Sequence, residues 1–270
     1  MKTIGVFDSG VGGLSVLRAL LAEMPQARYV YLADGAHAPY GERSQQQVAE
    51  RAHRITDGLR NHFGIDALVV ACNTATALAI EGLRAQHPEW PIVGVEPALK
   101  PAAAITRTGH VGVMATRGTV ESERFARLRQ RLEQASENPL HFSCQACDGL
   151  ADAIERNDRL AIESLCQRYW SALQSEHTSS PIDTLVLGCT HYPFAADMLQ
   201  KLAGDAVTLV ETGIPVARRT RAVLDLPPPN GTESPAPTGV VLLSTGDPAP
   251  LSQAAQRWLG LASPGQNFAC

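Results

Sequence analysis

Two cysteines close near-identical runs of this chain. One run is Asp66-Ala67-Leu68-Val69-Val70-Ala71-Cys72-Asn73-Thr74 and the other Asp183-Thr184-Leu185-Val186-Leu187-Gly188-Cys189-Thr190-His191. The shared frame Asp-x-Leu-Val-(Val/Leu)-(Ala/Gly)-Cys sets the cysteines 117 positions apart (189 − 72 = 117). An apolar run that ends in a thiol and then in polar side chains suits a strand–helix junction. The free N–H groups and partial positive charge of a helix N-terminus favour an anion there, whether a thiolate or a carboxylate. Taken singly, each cysteine reads first as a buried strand-end residue. Two in one repeated frame point to a pair of related half-sites. Two thiols facing one carbon can take a proton from one side and return it to the other, which is racemisation.

Other residues fit around such a pair. Asp8-Ser9-Gly10-Val11-Gly12-Gly13 follows a strand-like run and opens a helix. It has neither the Gly-x-Gly-x-x-Gly spacing nor a Walker lysine, and an aspartate at its mouth repels phosphate. A small ligand facing Asp8 and Ser9 is therefore expected in place of a nucleotide. In the turn Ala38-Pro39-Tyr40-Gly41-Glu42-Arg43-Ser44, Tyr40 and Gly41 can supply a hydroxyl and a backbone N–H to a carboxylate, while Ser44 with Gln47 reads as a helix capping box. His191 can accept or relay the proton of Cys189, and Asp8 can do the same beside Cys72. Asn73, Thr74 and Thr190 add amide and hydroxyl groups next to the thiols. Cys144-x-x-Cys147 has no second pair at zinc-ribbon spacing and reads as two ordinary cysteines near a strand end, so no metal is expected.

The elements that must hold these residues are legible in the apolar pattern. Strands are expected over 3–7, 29–33, 67–71, 92–95, 110–114, 184–188, 206–210 and 240–244, with helices over 14–23, 44–61 and 119–134. Strands separated by helices imply parallel βαβ units, and runs without strict alternation imply strands covered on both faces. The repeat extends beyond the cysteines: Ile4-Gly5-Val6-Phe7 and Val111-Gly112-Val113-Met114 each lead into a small polar turn, at an offset of 107 (111 − 4 = 107). The fold class expected is therefore α/β, with two similar domains of mostly parallel sheet related by a pseudo-twofold duplication and the active site between them. Their bounds are read as 1–97 plus 210–270 for the Cys72 half and 98–209 for the Cys189 half, with a hinge near 97–101 and 210–213. The stretch 226–239, rich in Pro, Gly, Ser and Thr, reads as an exposed insertion.

Composition narrows the class. The chain has 270 residues, is 44% hydrophobic and carries a net charge of −4, which gives no support for nucleic acid as a partner. Met1-Lys2-Thr3 runs straight into an apolar strand broken by Asp8, without a signal-type apolar region, and no stretch is long enough to span a bilayer. A cytoplasmic location is expected, where the six cysteines would be thiols.

Together these motifs resemble the glutamate racemases of the aspartate/glutamate racemase family. The matching pieces run in order from Gly5-Val6-Phe7-Asp8-Ser9-Gly10 through Ala38-Pro39-Tyr40-Gly41, Ala71-Cys72-Asn73-Thr74 and Val93-Gly94-Val95-Glu96-Pro97 to Leu187-Gly188-Cys189-Thr190-His191 and Thr245-Gly246-Asp247. The resemblance implies cofactor-independent interconversion of L- and D-glutamate, supplying D-glutamate for peptidoglycan. It implies Cys72 and Cys189 as the acid–base thiols, assisted by Asp8 and His191, with Cys72 acting on D-glutamate and Cys189 on L-glutamate. Substrate contacts are implied from Asp8, Ser9, Tyr40, Gly41, Asn73, Thr74, Thr190 and His191, with Thr116 and Thr119 as additions. Glu155 corresponds to an assisting glutamate of the second half-site, although 147–155 departs from the proline-containing form associated with the family. A homodimer is compatible with the resemblance. Aspartate racemases share the duplicated fold and both cysteines but usually carry a glutamate after Cys-Thr; His191 in that place favours glutamate as substrate. A redox or metal-binding protein using the same thiols is the alternative of another class.

Overall fold

Runs of valine, isoleucine and leucine without polar alternation become strands where both sheet faces can be covered. The computed structural model describes residues 1–175, 180–229 and 239–270. Its strands are β1 (Thr3–Asp8), β2 (Arg28–Ala33), β3 (Ala67–Val70), β4 (Ile92–Gly94), β5 (His110–Ala115), β6 (His141–Ala146), β7 (Thr184–Gly188), β8 (Thr208–Val210), β9 (Val240–Ser244) and β10 (Gly265–Asn267). The chain divides into two compact units, Met1–Val95 with Gly213–Cys270, and Glu96–Thr212. The first holds a six-stranded sheet in the order β10-β9-β2-β1-β3-β4 and the second a four-stranded sheet in the order β6-β5-β7-β8. Every strand pairing in both is parallel.

The two sheets repeat one plan. The order β2-β1-β3-β4 in the first unit is the order β6-β5-β7-β8 in the second. Registers repeat as well: Gly5 lies opposite Leu68, and Gly112 lies opposite Leu185. Both glycines answer the same packing need. A Cβ on Gly5 would stand 2.4 Å from Ile65 Cδ1, and one on Gly112 would stand 3.3 Å from Ile182 Cδ1. The aspartate that opens each cysteine frame is a loop clamp. Asp66 accepts from the Thr3 N–H at 2.8 Å and from Lys2 Nζ at 2.9 Å. Asp183 accepts from the Thr106 hydroxyl and the Arg107 N–H, each at 2.7 Å, and from the Thr108 N–H at 3.0 Å. Burial alone would raise the Asp183 carboxyl, but these bonds hold it down at about 2.

Three helices of the first unit position the first thiol: α1 (Leu14–Glu23), α2 (Gln45–Phe63) and α3 (Asn73–Gln86). The capping box expected at α2 is present, with Ser44 Oγ accepting from the Gln47 N–H and the Gln47 side chain accepting from the Ser44 N–H. Gly64 closes α2 in the left-handed conformation at φ 56°. The single helix expected over 119–134 is two helices, Arg117–Val120 and Glu123–Ala135. Ser122 divides them by capping the second through the Phe125 N–H, and a hydroxyl that captures the local backbone competes with helix continuation. The strand expected over 206–210 begins at Thr208. Two edge strands, β6 and β10, had no expected counterpart. His141-Phe142-Ser143-Cys144-Gln145-Ala146 and Gly265-Gln266-Asn267 lack the β-branched signature, and their pairing is imposed by the neighbouring strand. Most of the insertion expected over 226–239 lies outside the described residues.

Each unit has its own core. Leu68, Val70, Ile80, Tyr40 and Cys72 share one buried cluster, and Val111, Val113, Phe142 and Val186 share another. No helix among the described residues is long and apolar enough to cross a membrane.

Candidate active site

Loops that carry ligands in parallel α/β sheets leave the C-terminal ends of the strands. Asp8 is the last residue of β1, and Cys72 follows β3, its neighbour in the sheet. In the second unit Thr116 follows β5 and Cys189 follows β7, again neighbours. The two thiols therefore occupy equivalent places in two sheets of one plan.

Cys72 is the N-cap of α3, with extended backbone at φ −134° and ψ 120°. Its Sγ accepts from the Ala75 N–H at 3.5 Å and donates to Ser9 Oγ at 3.8 Å. Asp8 is fully buried, and its Oδ2 accepts from the Gly13 N–H at 2.7 Å, at the start of α1. Gly13 is glycine for want of room: a Cβ there would stand 2.7 Å from the Asp8 Cβ and 2.9 Å from the Tyr31 hydroxyl. The Tyr31 hydroxyl donates to the Gly10 carbonyl at 2.7 Å and ties down the turn that carries Ser9. Asn73 and Thr74 are buried in the first turn of α3. Asn73 Nδ2 donates to the Val95 carbonyl at 3.2 Å, and its buried Oδ1 has no hydrogen-bond partner among the described residues. An unsatisfied buried acceptor beside a thiol suits a ligand donor such as an ammonium group.

Tyr40 and Gly41 lie in the 3-10 segment Tyr40–Glu42. The Tyr40 hydroxyl, expected to face a carboxylate ligand, donates to Asp34 Oδ2 at 2.5 Å. Burial and the Asp34 carboxylate push that hydroxyl far up, so it remains a protonated donor. With that hydroxyl engaged within the chain, the Gly41 N–H expected to meet a carboxylate is the part of the sequence reading left to this segment. Tyr40 and Cys72 belong to the same buried cluster.

The second thiol has a different surround. Cys189 is buried and is followed by a 3-10 segment, Tyr192–Ala195, with Pro193 near its start, before the helix Ala196–Ala203. His191 Nδ1 lies 3.7 Å from Cys189 Sγ, and Nε2 lies 2.6 Å from Glu155 Oε2. The ring is thus held between thiol and carboxylate. Burial by itself disfavours the charged imidazolium, but hydrogen bonds to Cys189 and Glu155 prevail and raise the His191 pKa well above its ordinary value. Thr190 is buried, and the Thr116 and Thr119 hydroxyls lie 2.9 Å apart. Thr116 holds the place after β5 that Ser9 holds after β1.

Sequence reasoning passed over Asp34, Arg51 and the role of Thr245. Asp34 is fully buried and receives Arg51 Nε at 3.0 Å, Arg51 Nη2 at 2.8 Å and the Thr245 hydroxyl at 2.6 Å. Its place directly after β2, at the ligand end of a parallel strand, was the available signal.

The chain is similar to known proteins both in sequence and in structure. A profile of the Asp/Glu/hydantoin racemase family matches residues 5–223. Glutamate racemase of Pseudomonas syringae pv. tomato is 47% identical over 223 residues, covering 82% of this chain and 78% of the relative. The crystal structure of a glutamate racemase isoform from Bacillus anthracis superposes with a TM-score of 0.84 at 29% identity, covering 99% of this chain and 97% of that one. The Escherichia coli glutamate racemase, crystallised with L-glutamate and the activator UDP-MurNAc-ala, gives a TM-score of 0.82 at 30% identity and covers 99% and 98%.

Proposed function

The chain belongs to the Asp/Glu/hydantoin racemase family, and we propose that it interconverts L- and D-glutamate through the thiols of Cys72 and Cys189. One thiolate takes the α-proton, and the electron pair stays on the α-carbon. The opposite thiol gives its proton to the other face, so the first sulfur ends as a thiol and the second as a thiolate. Cys72 abstracts from D-glutamate with Asp8 beside it, and Cys189 abstracts from L-glutamate with His191 and Glu155 beside it. The observation that carries this reading is the recurrence of a buried thiol after equivalent strands of two like sheets, each beside a proton-accepting or hydroxyl side chain.

An amino-acid α-proton is weakly acidic, and positioned acid–base groups supply only about 10²–10⁴-fold. The remainder must come from fixed donors around the developing negative charge. Asn73, Thr74, Thr190 and the Gly41 N–H are the candidates, with Ser9 beside the first thiol. D-glutamate made this way would serve peptidoglycan synthesis.

Incubation of each enantiomer in D₂O tests the mechanism. The wild type should yield product carrying deuterium at the α-carbon. Cys72→Ser and Cys189→Ser should each lose racemisation by roughly 10²-fold or more. Racemisation surviving loss of either thiol would sink the two-base assignment. Running aspartate in parallel decides the substrate, and glutamate should be the one turned over.

A further inference from the structure

We propose that Arg51 is a positioning residue of the Cys72 half-site: through Asp34 it fixes Tyr40, and with it the Gly41 N–H that meets the substrate carboxylate. The inference rests on the glutamate racemase reading for what Gly41 binds, but its geometry stands apart from it.

Asp34 is a hub between elements. Its N–H donates to the Asp8 carbonyl at 2.9 Å, so its backbone is tied to the end of β1. Its carboxylate takes the Arg51 pair, the Thr245 hydroxyl and the Tyr40 hydroxyl, with His37 Nδ1 at 3.1 Å. Arg51 grips both oxygens from α2, which fixes the plane of the carboxylate, and lysine could not reproduce that fork. Arg51 is itself anchored, because its Nη1 donates to the main-chain oxygen of Cys270 at 3.0 Å. Nearby Phe268 packs edge-on against His62 of α2, with ring centroids 5.2 Å apart. A buried ion pair is a costly way to stabilise a fold, since an apolar pair of like volume does as well or better. A pair that instead holds a tyrosine hydroxyl at one point has a use that apolar packing cannot supply. Tyr40 has no other polar side-chain atom, so the bond to Asp34 is the one directional side-chain tether on the residue that precedes Gly41.

The test compares Arg51→Met, Arg51→Lys, Tyr40→Phe and the Arg51→Met/Tyr40→Phe double variant. KM and kcat are measured in both directions, and amide hydrogen exchange is followed over residues 35–43. Losing a contact made equally to substrate and transition state raises KM and spares kcat. Arg51→Met should raise KM about tenfold with kcat within about threefold, and should speed exchange at Gly41. Arg51→Lys should recover only part of this loss. The double variant should be no worse than the poorer single, because both changes cut the same tether. Tyr40→Phe keeps the packing, so it judges the tether even if Arg51→Met does not fold. Unchanged KM and unchanged exchange in the folded variants would overturn the proposal, as would additive effects or a loss confined to kcat. A wild type that does not racemise glutamate would instead overturn the functional reading, with the exchange measurement still judging the tether.

Discussion

Two thiols of one repeated frame end in unlike company. Cys72 has a hydroxyl and helix N–H groups at hand, whereas Cys189 has an imidazole backed by a carboxylate. Glu155 is therefore the residue whose removal should separate the two half-sites. In Glu155→Gln the imidazolium loses its carboxylate, so the His191 pKa should fall and the neutral ring should take over at lower pH. The limb of the kcat/KM profile that reports His191 should move to lower pH, most strongly with L-glutamate. The stability effect has a definite sign. A histidine whose folded pKa is raised contributes stability that is fully present below its unfolded value of about 6.5 and is lost as pH rises through the folded value. The wild type should thus exceed Glu155→Gln in stability at mildly acidic and neutral pH, with the gap closing at alkaline pH. A gap that widens with pH, measured by urea unfolding, would refute the ion pair. Glu155 was a candidate only through the family resemblance, and nothing in 147–155 showed that it reaches His191. That contact spans 36 positions and is decided by the helix Leu150–Glu155.

Elements explain why both halves carry the same small and charged residues. Gly5 and Gly112 leave space for Ile65 and Ile182, each just ahead of the strand that bears a thiol. Gly5→Ala should cost about 1–3 kcal/mol through overpacking against Ile65. Ile65→Ala in the same chain should recover part of that loss, because the added methyl then has room. Denaturant midpoints of the two singles and the double test this, and strictly additive losses would show that the two side chains do not meet. Strands with strong β-branched runs, such as β1, β3, β5 and β7, were legible in the apolar pattern. β6 and β10 were not, because an edge strand of polar or small residues is recruited by its neighbour's unpaired backbone and leaves no local signature.

At the scale of the molecule the two units hold separate buried clusters, with Leu68 in one and Phe142 in the other. Leu68→Ala should cost about 2–5 kcal/mol and Phe142→Ala about 3–5 kcal/mol. Native-state hydrogen exchange should show each loss first in its own unit, within 1–95 and 213–270 or within 96–212. Equal loss of protection in both units from either change would count against separate cores.

The sequence by itself determined the α/β class, the duplication, the two thiols and the residues next to them, because each is written in contiguous runs at a fixed offset. Tertiary structure decided what the neighbours of those runs are for. It turned the repeated aspartates into loop clamps, gave the Tyr40 hydroxyl to Asp34, and brought Arg51, Thr245 and Cys270 to one network. A buried charge is stable only where distant donors converge on it, and that convergence comes from strand order, which no local pattern encodes.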